Sequence, residues 1–418
     1  MNMRTSLLSI VFLLLVNFLL TGCEVNPSNR QVSTESVIAD TVSEFVSGER
    51  VGNLSQSVSF GNKVLECTDD GIYYVQSSTI HYENGNEMTT TTADTIYFME
   101  HGSNSMIRLC GRPDCTHDNF DCNAIFMEIS CTISSYDGYL YVVGMYPGSP
   151  ELFNLYRMDP DGNNRIKVLD GSSINTKGYP FYNVGNIVNG VFVFNPTYIT
   201  DNGTQISDNY YYKLDGSMKE PLMSDDIIWF QDGDTLLRLE REGYGVDTRT
   251  YICSWDPDTN TTTRLFDFTG VSDGASGPVY YGSNAVYFAR NGKIIMYRYS
   301  ESSEQVLFDT GLGSTATARF FSDCIVVINP DEESPKLFFF DWDGTLQGEL
   351  TVEFPHVEPT ALMCGETHER IYLRTSWNNL PQYYIEKSDF GTGNIELHEI
   401  QYPDLEKAEY DQIFRVTS

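Results

Sequence analysis

Gly71-Ile72-Tyr73-Tyr74-Val75 is a turn residue followed by four consecutive apolar or aromatic residues, and the chain returns to this pattern six more times. The returns are Gly138-Tyr139-Leu140-Tyr141-Val142, Gly190-Val191-Phe192-Val193-Phe194, Ile227-Ile228-Trp229-Phe230, Ala285-Val286-Tyr287-Phe288, Cys324-Ile325-Val326-Val327-Ile328 and Arg370-Ile371-Tyr372-Leu373. Ile72 and Ile371 are 299 residues apart over six intervals, a mean period of about 50, at the upper end of the repeat lengths of propeller blades. β-branched and aromatic residues in short runs suit pleated strands.

A second signature follows many of the returns: an aromatic strand that runs into an acidic turn. Examples are Leu155 to Gly162, Tyr211 to Gly216, Ile252 to Asp258 and Phe338 to Gly344. Asp-Gly and Pro-Asp pairs accept the dihedrals that close antiparallel hairpins. The repeating unit is therefore a small antiparallel sheet. One such sheet cannot bury both of its apolar faces, and stacking the units radially does so without leaving long edges. The expected fold is all-β, a seven-bladed β-propeller of four-stranded antiparallel sheets over residues 57–418, with six or eight blades as alternative counts. The alternating segment Ser57 to Leu65 is expected to supply the strand that closes the ring against the last blade.

The composition agrees with a packed protein of this kind. Hydrophobic residues make up 41% of the 418, with 27 Tyr and 24 Phe, which excludes global disorder. Against 58 Asp and Glu stand 26 Lys and Arg, a formal net charge of −32. Such a field repels a phosphate backbone, so no nucleic acid partner is expected.

Arg4 precedes an apolar run of 14 residues, Leu7 to Leu20, short for a membrane span of about 20 but suited to the core of a signal peptide. The following Leu20-Thr21-Gly22-Cys23 resembles the lipobox of bacterial lipoproteins. That resemblance implies removal of residues 1–22 and fatty acylation of Cys23, with palmitate as a typical acyl group. Residues 23–56, rich in Ser, Asn, Glu and Val, read as a flexible tether, with a short helix expected around Val37 to Phe45. The body would then lie outside the cytoplasm, anchored to a bacterial membrane at the cell surface or periplasmic face. Glu24 gives no sorting signal between membranes.

The blade pattern resembles bacterial surface lipoproteins that carry β-propellers of unassigned function, and more distantly TolB-like and low-density-lipoprotein-receptor-type propellers. The Tyr-Trp-Thr-Asp blade motif of the receptor type is absent, so no ligand preference follows from it.

Chemistry concentrates in one place, a Cys/His-rich insertion at 109–131 placed between blades 1 and 2. Cys110, Cys115, His117 and Cys122 fall within 13 residues. Three thiols and an imidazole in a loop held open by Pro113 and several aspartates can wrap a tetrahedral Zn2+. With four protein ligands such an ion would be structural. A similar loop recurs in the propeller lipoproteins that the chain resembles. Disulfides are the alternative, because thiols outside the cytoplasm often oxidise; Cys67 and Cys131, each placed just before the first strand of an adjacent blade, could pair across the boundary.

Other motifs are weaker. Gly270-Val271-Ser272-Asp273-Gly274 matches the nucleophile pattern of serine hydrolases, but no helix pattern follows Ser272. Asp159, Asp161 and Asn163 alternate as in a calcium loop, yet Gly162 stands at the fourth place and the twelfth holds no glutamate. Both read as turns. Trp229, Trp255, Trp342 and Trp377 are expected in blade cores rather than on a sugar-stacking face. Loops 200–209 and 256–263 are expected to form the contact surface. Catalytic residues are not identified. The expected function is lipid-anchored binding of a protein or glycan at the cell envelope. The alternative is an extracellular carbohydrate-active or lactone-hydrolysing enzyme, with paired carboxylates at the mouth of the central channel.

Overall fold

The computed structural model describes residues 65–403, apart from 85–86, 147–148, 172–179, 200–204, 208, 225–227, 233–234, 243–248, 278, 282–283, 329–335, 352–362 and 375–380. All of these residues belong to one compact unit, Glu49–Ser418. The leader, Cys23, the tether and the helix expected near Val37 lie outside the described residues. No α-helix occurs among the described residues, and none there is long and apolar enough to cross a membrane.

Seven antiparallel sheets follow one another along the chain and form a seven-bladed β-propeller. Blade 1 holds β1 (Leu65–Cys67), β2 (Gly71–Asn84), β3 (Glu87–Glu100), β4 (Ile107–Arg108) and β5 (Ile125–Phe126). Blade 2 holds β6 (Ile129–Tyr136), β7 (Tyr139–Tyr146), β8 (Ser149–Met158) and β9 (Ile166–Asp170). Blade 3 comprises β10 (Pro180–Val188), β11 (Val191–Ile199), β12 (Gln205–Ser207), β13 (Asn209–Lys213) and β14 (Leu222–Ser224). Blade 4 comprises β15 (Ile228–Asp232), β16 (Thr235–Glu242), β17 (Arg249–Asp256) and β18 (Thr261–Asp267). In blade 5 are β19 (Tyr280–Tyr281), β20 (Ala285–Arg290), β21 (Lys293–Arg298) and β22 (Ser303–Asp309). In blade 6 are β23 (Thr317–Phe320), β24 (Ile325–Ile328), β25 (Lys336–Phe340) and β26 (Leu346–Thr351). Blade 7 is β27 (Met363–Glu366), β28 (Arg370–Leu373), β29 (Tyr383–Glu386) and β30 (His398–Glu399).

The core is distributed over the seams between blades. Seven hydrophobic clusters each join two consecutive blades, and the last joins blade 7 to blade 1 through Tyr372 and Tyr384 against Ile72, Tyr74 and Tyr97. Side chains alternate across a strand, so each second strand serves two seams. In β24, Ile325 and Val327 pack toward blade 5 while Val326 and Ile328 pack toward blade 7. Burial on both faces is why these strands read as unbroken apolar runs. Asp137-Gly138, Asn189-Gly190 and Asn291-Gly292 link first to second, or second to third, strands with positive φ at both residues, the requirement of a two-residue hairpin turn.

Outer strands present unpaired edges, a liability for edge-to-edge aggregation. Those of blades 2, 4, 5 and 6 each carry a register shift against their neighbour. Such bulges twist the edge away from a straight partner.

Of the segment Ser57 to Leu65, expected to close the ring, only Leu65 is described, and it packs into the seam between blades 1 and 7. Strand β1 begins at Leu65 and pairs with β2 of its own blade; residues 57–64 lie outside the described residues. Further contacts across this seam come from the carboxyl side of blade 7. Gln401, just past β30, donates its N–H to Asn104 O (2.7 Å) and accepts from Met106 N–H (2.8 Å). Arg370 donates to Ser103 O, and Arg374 Nη1 donates to the Tyr74 hydroxyl at 3.4 Å.

The turns of each blade divide between the two ends of the ring. In a four-stranded meander the first and third turns of a blade lie at one end, while the second turn and the blade-to-blade connections lie at the other. The second turn of blade 1 joins two 14-residue strands, whereas β28 and β29 of blade 7 have four residues each. The β2–β3 hairpin of blade 1 is therefore much longer than its counterpart in blade 7. Loop 256–263 is a third turn, between β17 and β18, and loop 200–209 is part of a second turn. The two expected contact loops therefore lie at opposite ends.

Candidate metal centre

The third strand of blade 1 has a divided partner on its outer edge. Strand β4 pairs with Tyr97 and Phe98 of β3, and β5 pairs with Asp94 and Thr95. Between them Leu109 N–H donates to Ile96 O and Ile96 N–H donates to Ala124 O, both at 2.9 Å. The Cys/His loop therefore leaves and re-enters a single strand position. It is an excursion within the outer strand of blade 1, not a linker between blades.

Inside the excursion, successive turns bring the ligands around. Cys115 N–H donates to Arg112 O (3.3 Å), Cys122 N–H to Asn119 O (3.1 Å) and Ile125 N–H to Cys122 O (3.2 Å). His117 sits at φ +56°, a left-handed conformation that histidine adopts more readily than bulky or branched residues. Asp118, Asn119 and Asp121 hold the turn by local bonds, with Asn119 Oδ1 accepting from Asp121 N–H at 2.9 Å and Asp118 Oδ1 accepting from the Thr116 hydroxyl at 2.6 Å.

The outcome is one cluster. The ligand atoms of Cys110, Cys115, His117 and Cys122 all lie within 4.8 Å of one another. His117 Nδ1 is 3.3 Å from Cys122 Sγ. Cys122 is fully buried, and the other three are half-buried. Burial pushes the Cys122 thiol well up. Burial also pushes Cys110 up, but the backbone N–H groups of Arg112 and Asn123 and the thiols of Cys122 and Cys115 more than offset this and hold it below its ordinary value. The four residues form a Cys3His group that could hold a metal ion; three soft sulfurs and an imidazole are the donor set of structural zinc sites.

The remaining described cysteines stand apart. None of Cys67, Cys110, Cys115, Cys122 and Cys131 is in a disulfide. The pairing of Cys67 with Cys131 is not formed: Cys131 packs against Gly144 of blade 2, while Cys67 packs toward Gly365 of blade 7. They face opposite seams of blade 1.

Beneath the loop lies a buried acidic pair. Asp94 accepts from the Ser77 hydroxyl and from Cys131 N–H (2.6 Å). Glu128 accepts from Asn154 Nδ2 (2.6 Å) and the Tyr156 hydroxyl (2.7 Å). Burial raises the Asp94 carboxyl above its usual range, its hydrogen bonds oppose this, and the negative charge of Glu128 adds to the rise.

Strand β1 touches the first strands of both neighbouring blades, and two first-strand carboxylates reach sideways to adjacent blades. Glu66 of β1 reaches blade 2, accepting from Ser135 N–H at 2.8 Å and from the Ser135 hydroxyl. Glu366 of β27 reaches blade 6, accepting from Ser322 N–H (2.8 Å), the Ser322 hydroxyl (3.0 Å) and Lys387 Nζ (2.5 Å). Adjacent in the ring, the two point to opposite neighbours.

The weaker motifs resolve as turns. Around Ser272, Val271 N–H, Asp273 N–H and Ala275 N–H donate to the carbonyls of Phe268, Gly270 and Ser272, a chain of turns between blades 4 and 5 with no helix. Asp159 exchanges turn bonds with Gly162 and Asn163, and Asp341 with Gly344 and Thr345. Trp255 lies in the blade 3–4 seam against Tyr211, with ring centroids 4.9 Å apart. Trp342 lies against Tyr287 at 5.3 Å. The Trp229 side chain and Trp377 fall outside the described residues.

No protein-family model matches the chain, and no curated protein sequence matches it. Solved propeller structures do. A puromycin hydrolase matches at 13% identity and a TM-score of 0.48, over 85% of this chain and 56% of the other. An oligogalacturonate lyase in complex with manganese matches at 11% and 0.37, over 82% and 90%. TolB from Acinetobacter baumannii matches at 14% and 0.30, over 79% and 80%. The chain spans just over half the length of the hydrolase. These likenesses concern the fold alone, since propellers serve many unrelated activities.

Proposed function

We propose that the chain is a lipid-anchored, extracytoplasmic binding protein: Cys23 carries the acyl groups, residues 23–56 form the tether, and one end of the ring engages a protein or glycan partner at a bacterial cell envelope. The observation that carries the reading is the long hairpin of blade 1. The 14-residue strands β2 and β3 form a ribbon that ends at the second turn of blade 1, and projecting loops on a rigid scaffold are the usual place for recognition. The disposition of Glu66 and Glu366 supports binding over hydrolysis, because both serve as pins between blades. The Cys3His group is assigned to structural Zn2+, with Cys110, Cys115, His117 and Cys122 as ligands.

The test has two arms. Mass analysis of the amino-terminal peptide should find acylated Cys23, and Cys23→Ser should release the protein from membranes. Replacing residues 79–92 by Asn-Gly, between the paired Ser78 and Ala93, should keep the fold and abolish binding to envelope glycans or proteins on an array. An unmodified Cys23, or binding unaffected by removing the ribbon, would overturn the respective half of the proposal. Turnover of a polysaccharide or lactone by the intact chain would replace it with an enzymatic one.

A further inference from the structure

Blade 2 also holds the Cys/His loop. Arg165, the residue before β9, donates from Nη1 to Ile125 O (2.6 Å) and Asn123 O (3.3 Å), and from Nη2 to Phe120 O (3.1 Å). These three carbonyls flank Cys122 on both sides in sequence. The guanidinium lies over the Phe126 ring, 4.9 Å from its centroid, and 6.0 Å from that of Tyr156. A planar fork can serve three carbonyls from two nitrogens while stacking on an aromatic face; an ammonium cannot do both.

The other leg of the loop rests on the same turn of blade 2. Asn123 Nδ2 donates to Gly162 O at 2.8 Å. Gly162 approaches so closely that a Cβ there would lie 2.8 Å from Leu109 O, the residue before Cys110. Only glycine tolerates that approach, and its φ of +82° selects glycine as well. Within the loop itself, Arg112 Nη1 donates to Asp121 O at 2.7 Å.

We infer that the Cys3His centre is a clasp across the seam between blades 1 and 2, and that Arg165 of blade 2 is its positioning residue. The inference rests on the metal assignment proposed above. Arg165 touches no ligand atom; it fixes the backbone on either side of Cys122, which sets where that sulfur points. Linkage runs both ways. Metal binding tightens the seam, and loosening the seam weakens metal binding.

The experiment titrates the reduced full chain with Co2+ and Zn2+, reading affinity by chelator competition and geometry from the visible Co2+ spectrum. Variants are Arg165→Met, Arg165→Lys and a control, Arg264→Met, whose guanidinium stacks on Tyr251 in blade 4 at 4.1 Å. Arg165→Met should weaken binding about 10- to 100-fold, the usual effect of losing a partner that orients ligands, and should alter the Co2+ bands. Arg165→Lys should recover little of the loss, and Arg264→Met should match the native chain. Native affinity and spectrum in Arg165→Met would overturn the clasp. Failure of the native chain to take up either metal would instead overturn the metal assignment. If Arg165→Met does not fold, Arg165→Lys and Asn123→Ala decide: weakened binding in both supports the clasp, and native binding in both overturns it.

Discussion

Arg370 in blade 7 donates Nη1 to the backbone carbonyl of Ser103 in blade 1, joining positions 267 apart in sequence across the closing seam. The same guanidinium bonds Glu386 Oε1 through Nε (2.9 Å) and Nη2 (2.8 Å), and lies 4.1 Å over Tyr384. Its side chain is 6% exposed. A ring needs one seam made after all the others, and long-range closure is the slowest contact to form.

Arg370→Met should therefore cost about 2–3 kcal/mol, somewhat less than breaking a fully buried pair because Glu386 is part exposed. Lys336→Ala, which removes an exposed pair with Glu349 at 3.2 Å, should cost no more than about 0.5 kcal/mol. Urea unfolding compares them, and hydrogen exchange should locate the added opening of Arg370→Met at residues 101–106. Equal costs would contradict the assigned role.

Lys387 pins blade 7 to blade 6, with Nζ 2.5 Å from Glu366 Oε2 and 2.8 Å from Asp323 Oδ1. Burial pushes this lysine down, but Glu366 and Asp323 overcome the effect and hold it above its ordinary value. A lysine raised in the folded state stabilises fully below its unfolded value of about 10.4, and that contribution is lost as pH rises through the folded value. Native protein should lose stability in that alkaline window, and Lys387→Met should lose about 1–3 kcal/mol at pH 7 with a flatter alkaline limb. Melting temperature against pH checks both.

Asp94 loses its contribution in the same direction, at lower pH. Its carboxyl, raised by burial, stabilises the fold fully below an unfolded value of about 3.9, and the contribution disappears as pH climbs through the folded value. Asparagine keeps an acceptor for Cys131 N–H and offers a donor to Ser77. Asp94→Asn should be at least as stable as the native chain at pH 8 and show a smaller change between pH 4 and 8. A loss above about 2 kcal/mol at pH 8, the cost of an unsatisfied buried group, would contradict this account.

Cys122 is the most buried of the four proposed ligands, and its neighbours Ala93, Ala124 and Ile125 form a small core around it. Cys122→Ser should abolish metal binding and cost about 2–4 kcal/mol, in the upper range of single substitutions. Chelation of the native protein should lower its melting temperature, while chelation of Cys122→Ser should leave it unchanged. Calorimetry with and without chelator distinguishes the two.

The blade count was legible because second strands are buried on both faces. In six blades the apolar return is that second strand; in blade 4 it is β15, the first, because β16 carries the buried Arg238 amid its leucines and breaks the run. The acidic turns were legible too, and all four quoted examples join third to fourth strands. The ligand cluster was readable from its spacing alone. What holds it was not. Arg165, Gly162 and Asn123 lie in two blades, and a lone arginine has no period to betray it. Closure through Gln401 and Arg370 was hidden likewise, since contacts spanning nearly 300 residues leave no local pattern.

The central claim, that the Cys3His loop is a metal clasp within a closed propeller, is tested most directly by metal analysis with thiol titration on protein purified without added metal or reductant. The account predicts one zinc per chain, with Cys110, Cys115 and Cys122 becoming reactive only after chelation. Metal-free protein with two of these cysteines joined in a disulfide would contradict it.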